Sequence, residues 1–141
     1  MRVREASVEE DGRLVAHVLF TRVFVGGEAA SASGAPGGGT PALCLAPLAV
    51  ASDRQHAGIG SALVEAALDR ARDSGERLVL VLGHPEYYPR FGFVPAGAEG
   101  IEPPRPVPEE AWMALELAPG ALEEARGATH LAAVFDDDRY W

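Results

Sequence analysis

Residues 55–60 read QHAGIG and lie between an apolar run at residues 43–50 and an amphipathic run that extends to about residue 74. This order predicts a strand, a glycine-rich turn and a helix. Glycines let the backbone approach a ligand closely, and the first N–H groups of a helix have no acceptor within it. The turn therefore predicts an anion site at the start of the helix, of the kind that holds phosphate.

The glycine turn lacks the residues that mark two common nucleotide sites. Gly58 and Gly60 are not followed by Lys and then Ser or Thr, which excludes a P-loop. A dinucleotide fingerprint requires a third glycine three residues after Gly60, where this chain has Leu63. What remains is a cradle of backbone amides for a diphosphate, with no metal-binding side chain beside it.

The composition predicts one globular domain spanning residues 1–141. Apolar residues make up 48% of the 141 residues, and the formal net charge is −9. A nucleic-acid-binding protein would need a basic face, so we expect no nucleic-acid partner. The acidity suits a cationic partner such as an amine, or it serves only to keep the protein soluble.

The N-terminal segment indicates where in the cell the protein is located, and the sequence around the single cysteine indicates whether its thiol is reactive. The N-terminus is charged and lacks the apolar core of a signal peptide, and no apolar run reaches the length of a membrane span. We therefore expect a cytoplasmic protein with no membrane partner. Cys44 lies in an apolar run, which favours a buried inert thiol over a nucleophile.

The residues before the glycine turn predict three strands. Asp11-Gly12 separates residues 2–9 from residues 13–25 and predicts a hairpin. Residues 26–40 are rich in Gly, Ala and Ser, which predicts a flexible surface loop that either links two strands or acts as a lid. Pro47 lies in the strand predicted at residues 41–50 and has no N–H, so pairing must break or bulge there.

The residues after the glycine turn predict a strand–helix–strand unit. The apolar positions of the helix share one face, which we expect to be its core face: Ile59, Ala62, Leu63, Ala66 and Ala67. Gly75 is a natural C-terminal stop. Residues 78–82 are all apolar, as in a strand that is buried on both faces.

The later segments are shorter and less regular. Pro85 suits the first turn of a short helix, and Pro89 limits that helix to little more than one turn. A short strand is predicted to begin at Phe93, followed by a proline-rich irregular connector at residues 97–110. Residues 111–118 alternate and predict a half-buried strand, whereas the tail from Pro119 is weakly patterned.

Two motifs in a fixed order carry a family resemblance. Gln55-x-x-Gly58-x-Gly60 is followed by Tyr88-x-x-x-Gly92-Phe93, with the strand–helix–strand unit between them. Together they resemble the GNAT superfamily of acyl-CoA-dependent N-acetyltransferases. The closer resemblance is to its YhbS-type branch, where a Leu-x-Pro-Leu-Ala-Val strand and a Tyr-Tyr-Pro-Arg-Phe-Gly-Phe segment accompany the turn. The resemblance is specific over residues 41–97 and looser over residues 1–25 and 111–118.

The resemblance implies an α/β (α+β) fold with a mixed, mostly antiparallel sheet. Its central strands splay apart, and it carries one long helix and one short helix. The family usually starts with a strand and two helices that wall the acceptor site, whereas this sequence starts at the hairpin that follows them. Either those elements are lost, or the sequence is truncated, or a second subunit, as in a homodimer, fills their place.

The resemblance also implies acetyl-CoA as the co-substrate, without a metal. Its diphosphate would lie on the N–H groups of the turn, whose residues are Gln55, His56, Ala57, Gly58, Ile59, Gly60 and Ser61. The Ser61 hydroxyl could add a donor, or Ser61 is only a small residue at the helix start; the Ile59 side chain is expected in the core. The pantetheine arm would pair with the backbone of Leu48, Ala49 and Val50. Family members often carry Arg or Lys where this chain has His56 and Ala57, so positive charge is sparse there.

The chemistry implied is direct attack of an amine on the thioester. A phenol near pKa 10 can protonate a thiolate whose acid has a pKa of roughly 8.5. Tyr88 lies where the family keeps its candidate general acid; the alternative is a packing aromatic, and Tyr87 is the weaker choice of acid. The base is open among His84, Glu86, His17 and water, and His84 is the catalytic partner we assign to Tyr88.

The sequence therefore predicts an N-acetyltransferase that acts on a small-molecule amine or a protein amine. The alternative is a non-catalytic acyl-CoA-binding or interaction module with a degenerate acceptor site. The Tyr88-x-x-x-Gly92-Phe93 segment favours the enzyme, whereas the missing N-terminal elements and the unidentified base favour the module.

Overall fold

Strands dominate the part of the chain that the computed structural model describes, which comprises residues 3–10, 12–27, 39–50 and 58–131. The described elements are β1 (Val3–Glu10), β2 (Arg13–Val25), β3 (Thr40–Val50), α1 (Ile59–Asp73), β4 (Leu78–Leu82), β5 (Val94–Pro95), β6 (Ile101–Glu102), β7 (Trp112–Glu116), α2 (Ala121–Glu124) and β8 (Gly127–Leu131). A 3-10 turn at Tyr88–Phe91 follows β4. Of the predicted loop at residues 26–40, residues 28–38 lie outside the described ranges.

The described strands form one sheet with the order β5-β7-β4-β3-β2-β8-β6, and β1 pairs with β2 beside β8. Within the described ranges, β3 with β4 and β6 with β8 are parallel pairs, and the other pairs are antiparallel. The β1–β2 hairpin predicted from Asp11-Gly12 is present. The parallel β3–β4 pair is joined through α1, as a parallel connection requires. This is the mixed, mostly antiparallel sheet that the resemblance implied.

The centre of the sheet opens where β3 carries Pro47. The β2–β3 register shifts between the pairs Phe20–Leu45 and Val18–Leu48, so β3 has one extra residue in the step that contains the proline. The parallel pairing of β3 with β4 ends at Leu45 opposite Val81. Proline has no N–H for a ladder, which accounts for a bulge at this position. The predicted break in pairing and the splayed central strands are confirmed.

The two faces of the sheet carry separate apolar clusters. One cluster packs α1 against alternate residues of the central strands, among them Val18, Leu43, Val79 and Met113. The other lies on the opposite face and includes Trp112, whose indole N–H donates to the carbonyl of Ile101 at 3.2 Å. Segments from residues 96–125 contribute to this second cluster. The strands between the clusters are therefore buried on both faces, as predicted for residues 78–82.

Helix α1 begins and ends as predicted but turns a different face to the sheet. Its buried residues are Leu63, Val64, Ala67, Leu68 and Ala71. Ala62 and Ala66, which the sequence placed on the core face, are exposed. Small alanines tolerate either environment, whereas Val64 and Leu68 bury far more apolar area. The larger side chains therefore decide how the helix is rotated on the sheet.

Two further expectations are wrong for the later segments, and the tail contains two elements that were not predicted. The helical turn starts at Tyr88, so Pro89 lies in its first turn rather than at its end. The strand predicted as half-buried is buried on both faces from Trp112 to Ala114, because the second cluster covers it. The weakly patterned tail contains α2 and also β8, which pairs with β2.

An ion pair joins β2 to the segment after α1. Arg22 donates from Nη1 and Nη2 to the two carboxylate oxygens of Glu76, at 2.8 and 2.6 Å. The two side chains are only 16% and 11% exposed, so water screens the pair weakly. Gly75, with φ of 87°, ends α1 as predicted and lets the chain reach this contact.

Candidate active site

The start of α1 presents backbone N–H groups that have no acceptor within the helix. Gly58 precedes the helix with φ of 81°, a left-handed conformation that favours glycine. The first helical bond runs from Ala62 N–H to the Gly58 carbonyl, at 3.0 Å. The N–H groups of Ile59, Gly60 and Ser61 therefore have no acceptor within the helix. The first turn of α1 carries no acidic side chain, so the positive end of the helix dipole is uncompensated there.

The splayed edge of β3 leads toward this helix. Residues Leu48, Ala49 and Val50 pair through their backbone with β2 on one side. On the other side, the pairing with β4 has already ended at Leu45. Within the described ranges, the last residues of β3 thus have one edge without a partner strand, which could accept an extended ligand. Gln55, His56 and Ala57, which the resemblance places in the turn, lie outside the described residues.

A hydrogen bond links the helix start to the segment after β4. The hydroxyl oxygens of Ser61 and Tyr87 are 3.0 Å apart, and either can be the donor. Tyr87 is half-buried, and its ring meets those of Tyr88 and Phe91 edge-on, with centroids 5.0 and 5.4 Å apart. Sequence reasoning treated Ser61 and Tyr87 as separate candidates. The structure brings them together as one hydroxyl pair at the first turn of α1.

The ring of Tyr88 is buried beside the end of β4. Its centroid lies 5.7 Å from that of Phe93 in an edge-on contact. Burial raises the pKa of the Tyr88 phenol to about 12, and the neighbouring Tyr87 adds to the rise. This value departs from the ordinary phenol pKa near 10 on which the sequence argument relied. Tyr88 is therefore held in its protonated form throughout the neutral range.

Gly83 fixes where the hydroxyl end of Tyr88 lies. A Cβ added to Gly83 would lie 2.9 Å from Cδ2 and 3.3 Å from Cζ of the Tyr88 ring, and it would overlap Cε2. Cζ carries the hydroxyl, and Gly83 follows the last residue of β4. The phenol is thus placed at the end of β4, one residue beyond the last strand position, Leu82. Sequence reasoning did not single out Gly83.

Two of the proposed bases, His84 and Glu86, do not share this enclosed environment. His84 and Glu86 are exposed. The backbone carbonyl oxygen of His84 accepts hydrogen bonds from the N–H groups of Tyr87 and Tyr88, at 3.1 and 3.3 Å. His17 lies on β2 and pairs with Ala49, near the end of β3. The assignment of His84 as a catalytic side chain stays a prediction.

Arg90 stacks on the outer side of this aromatic group. Its guanidinium carbon lies 4.4 Å from the centroid of the Tyr87 ring, a cation–π distance. Its Nε also donates to the carbonyl of Tyr87 at 2.9 Å. Sequence reasoning missed this cation, although the spacing of Tyr87 and Arg90 within a short helical segment is the signal that could have revealed it.

Cys44 takes no part in this site. It lies in the cluster on the face opposite α1, is 1% exposed, and burial raises the pKa of its thiol to about 12. A thiol in this state is neither a nucleophile nor a metal ligand. The predicted burial of Cys44 is confirmed. No helix in the described ranges has the length and hydropathy needed to cross a membrane.

Comparison with known proteins gives a family match over most of the site. Residues 7–95 match the model of the acetyltransferase (GNAT) domain. YjhQ of Escherichia coli K12, named an uncharacterized N-acetyltransferase, is 41% identical over 112 residues, which cover 76% of this chain and 57% of YjhQ. YhbS of the same organism, also named an uncharacterized N-acetyltransferase, is 31% identical over 121 residues, which cover 86% of this chain and 66% of YhbS.

Two solved structures extend the likeness to the fold. The crystal structure of YhbS from Escherichia coli in complex with CoA gives a TM-score of 0.76 at 28% identity, over 92% of this chain and 67% of that one. A GNAT family acetyltransferase from Brucella melitensis in complex with acetyl-CoA gives a TM-score of 0.65 at 28% identity, over 94% of this chain and 68% of that one. The chain therefore spans about three fifths to two thirds of the length of the relatives it matches.

Proposed function

We propose that this chain, which belongs to the GNAT acetyltransferase family, transfers an acetyl group from acetyl-CoA to an amine. The observation that carries the proposal is the separation of β3 from β4 after Leu45 and Val81. In this proposal the opening lies between the first N–H groups of α1 and the Tyr88 phenol. The related YhbS and Brucella melitensis proteins were crystallised with CoA and acetyl-CoA.

The residues fit the acyl-CoA in the order of its chemical groups. In this proposal the diphosphate is held by the N–H groups of Gly58, Ile59, Gly60 and Ser61 and by the preceding turn residues. The pantetheine amides pair with the free backbone edge of Leu48–Val50 as an added strand would. The thioester then lies at the opening between β3 and β4, within reach of the hydroxyl of Tyr88.

The reaction forms an N–C bond and breaks a C–S bond. The nitrogen of a neutral amine attacks the thioester carbonyl, whose developing negative charge a main-chain N–H on β3 can stabilise. Collapse of the tetrahedral intermediate expels the thiolate of CoA. The proton lost by the amine nitrogen and the proton gained by sulfur balance, so the products are an amide and free CoA thiol.

Tyr88 serves this step as a hydrogen-bond donor and proton relay. Full proton transfer from a phenol of pKa about 12 to a thiolate whose acid has a pKa of roughly 8.5 is uphill by about 5 kcal/mol. Tyr88 therefore does not end the reaction as a phenolate. It donates its hydrogen to the departing sulfur and regains one from the ammonium nitrogen, so the amine is the source of the proton.

A non-catalytic acyl-CoA-binding module is the second candidate. The exposure of His84 and Glu86 and the raised pKa of Tyr88 favour it, because these two candidate bases are not sheltered and the Tyr88 phenol is a weaker acid than an ordinary tyrosine. Both candidates require the same cofactor cradle. They differ only in whether an amine is acetylated.

A two-stage experiment tests the proposal. Saturating acetyl-CoA should raise the melting temperature, because a ligand that binds only the folded state stabilises it. Release of free CoA thiol is then measured with a panel of small amines and lysine-containing peptides. Amine-dependent release supports the transferase. A melting shift without release from any amine supports the binding module, and the absence of a shift refutes both.

A further inference from the structure

We propose that Arg90 is a phosphate-binding residue of the cofactor site, held beside the start of α1 by its stacking on Tyr87. This inference rests on the proposed function, since the phosphates in question are those of CoA. The sequence showed little positive charge near the glycine turn, with His56 and Ala57 where relatives often carry Arg or Lys. The folded chain supplies a cation from a different element.

The electrostatic need for such a cation is clear. CoA brings a diphosphate and a 3′-phosphate, and the protein that must bind it has a formal net charge of −9. The start of α1 offers backbone N–H groups, whose helix dipole amounts to only about half an elementary charge. A full positive charge near the helix start would offset the repulsion between the acidic protein and the anionic ligand.

A continuous set of contacts places Arg90 near that helix start. Ser61 contributes one of the unpaired N–H groups, and its hydroxyl oxygen lies 3.0 Å from that of Tyr87. The guanidinium carbon of Arg90 lies 4.4 Å from the centroid of the same Tyr87 ring. One tyrosine side chain therefore separates the cation from the residue whose backbone N–H faces the diphosphate.

Arg90 is also held in place before any ligand binds. Its Nε donates to the carbonyl of Tyr87 at 2.9 Å, and its plane is supported by the ring. This bond uses one of the five N–H donors of a guanidinium, and the group as a whole is exposed to solvent. A cation already restrained in position loses less side-chain entropy on binding a phosphate than a free arginine would.

The competing explanation is that Arg90 only stabilises the 3-10 turn. The two explanations predict different effects of an Arg90 substitution on ligands with and without phosphates. A turn-stabilising arginine would affect every ligand of the site equally, with or without phosphates. A phosphate-binding arginine would affect only ligands that carry the phosphate it contacts, and its effect would weaken as salt increases.

The test compares variants against three ligands by titration calorimetry at low and high salt. The variants are Arg90→Gln, which removes the charge, and Arg90→Lys, which keeps it. Arg72→Gln is the matched control, since Arg72 is an exposed arginine of α1 that pairs with Asp69. The ligands are acetyl-CoA, acetyl-dephospho-CoA, which lacks the 3′-phosphate, and S-acetylpantetheine, which lacks all phosphates. Circular dichroism verifies that each variant is folded.

We expect Arg90→Gln to bind acetyl-CoA roughly three- to tenfold more weakly, as for a partly screened charge-assisted contact. Arg90→Lys should lose less affinity than Arg90→Gln, because it keeps the charge but not the contacts of the guanidinium with Tyr87. Arg72→Gln should stay within about twofold of the wild type, and S-acetylpantetheine should bind all four proteins alike. If acetyl-dephospho-CoA also loses affinity, the contact is with the diphosphate; if it does not, the contact is with the 3′-phosphate.

Two outcomes overturn the inference while leaving the proposed function intact. One is wild-type affinity of Arg90→Gln for acetyl-CoA. The other is an equal loss for all three ligands, which would assign Arg90 to the turn alone. Failure of the wild-type protein to bind acetyl-CoA would instead refute the proposed function itself.

Discussion

Gly83 and Tyr88 lie in direct contact, with the backbone of the glycine against the hydroxyl half of the tyrosine ring. A Cβ on residue 83 would stand 2.9 Å from Cδ2 and 3.3 Å from Cζ and would overlap Cε2. Tyr88 is 6% exposed and is also enclosed by Phe93 and Tyr87, so the ring cannot simply swing away. The position of the phenol thus depends on the absence of a side chain at the end of β4.

We predict that Gly83→Ala displaces Tyr88 and lowers kcat more than it raises KM for acetyl-CoA. Overpacking of this kind should lower the free energy of unfolding by about 1–3 kcal/mol. The matched control is Gly97→Ala, because the nearest atom to a Cβ there is 3.8 Å away. Steady-state kinetics and thermal unfolding of both variants provide the measurement. Wild-type kcat in a folded Gly83→Ala variant would show that the phenol position is not critical.

Removal of the Tyr88 hydroxyl should separate binding from turnover. We predict that Tyr88→Phe lowers kcat by about one to three orders of magnitude, because the departing sulfur loses its hydrogen-bond donor. Affinity for acetyl-CoA should change by less than about threefold, since the ring and its aromatic contacts remain. Thiol-release kinetics measure kcat, and calorimetric titration measures the affinity for acetyl-CoA. Equal rates for wild type and variant would remove Tyr88 from the mechanism.

The burial of two weak acids predicts loss of stability at alkaline pH. Burial raises the pKa of Cys44 from 9.0 to about 12, and that of Tyr88 from 10.0 to about 12. Both pKa values are higher in the folded state, so the folded protein binds more protons than the unfolded one between pH 9 and 12. The free energy of unfolding is therefore unaffected by these groups below pH 9 and falls as the pH rises above it.

Tyr88→Phe should make that alkaline decline shallower above pH 10. Tyr88 should account for about 1–2 kcal/mol of the fall in the free energy of unfolding at pH 11.5. Urea unfolding between pH 8 and 11.5 gives the slopes for both proteins. Identical slopes for wild type and Tyr88→Phe above pH 10 would contradict the burial of the phenol.

The regular elements were predictable because their signals are local. Residues 78–82 are an unbroken apolar run, Gly75 ends α1, and Pro47 marks the bulge without reference to any distant residue. The pairing of β8 with β2 has no such signal, because Thr129 and its neighbours pair with Val25 and the residues beside it, which lie about a hundred positions earlier in the chain. Pairings far apart in sequence depend on how the sheet assembles.

The site was predictable only in part for the same reason. The motif positions of Tyr88 and Gly58 follow from residue spacing, and the structure describes both. The contact of Gly83 with Tyr88 and the stacking of Arg90 on Tyr87 depend on a 3-10 turn that begins later than the prolines suggested. A shift of a few residues in a short helix decides which side chains face each other.

The glycine before α1 is required for its backbone conformation rather than for space. Gly58 has φ of 81°, and a Cβ there would meet no atom of the described residues within 4 Å. We predict that Gly58→Ala lowers the free energy of unfolding by about 1 kcal/mol, whereas Gly58→Asn, which tolerates the left-handed region, costs less. Chemical unfolding of both variants measures which substitution lowers the free energy of unfolding more. A loss for Asn as large as for Ala would indicate crowding instead of backbone strain.

The hydroxyl pair of Ser61 and Tyr87 can be resolved by a double-mutant cycle on acetyl-CoA affinity. If Ser61 donates to the diphosphate, Ser61→Ala should weaken binding by about three- to tenfold whether or not Tyr87 carries its hydroxyl. If Ser61 only anchors Tyr87, then Tyr87→Phe alone should have the same effect as the double variant. We expect the first pattern with partial coupling, because a serine hydroxyl can accept from Tyr87 while it donates to phosphate. Full non-additivity in calorimetric titrations would assign Ser61 to the support of Tyr87 and leave the diphosphate to the backbone N–H groups alone.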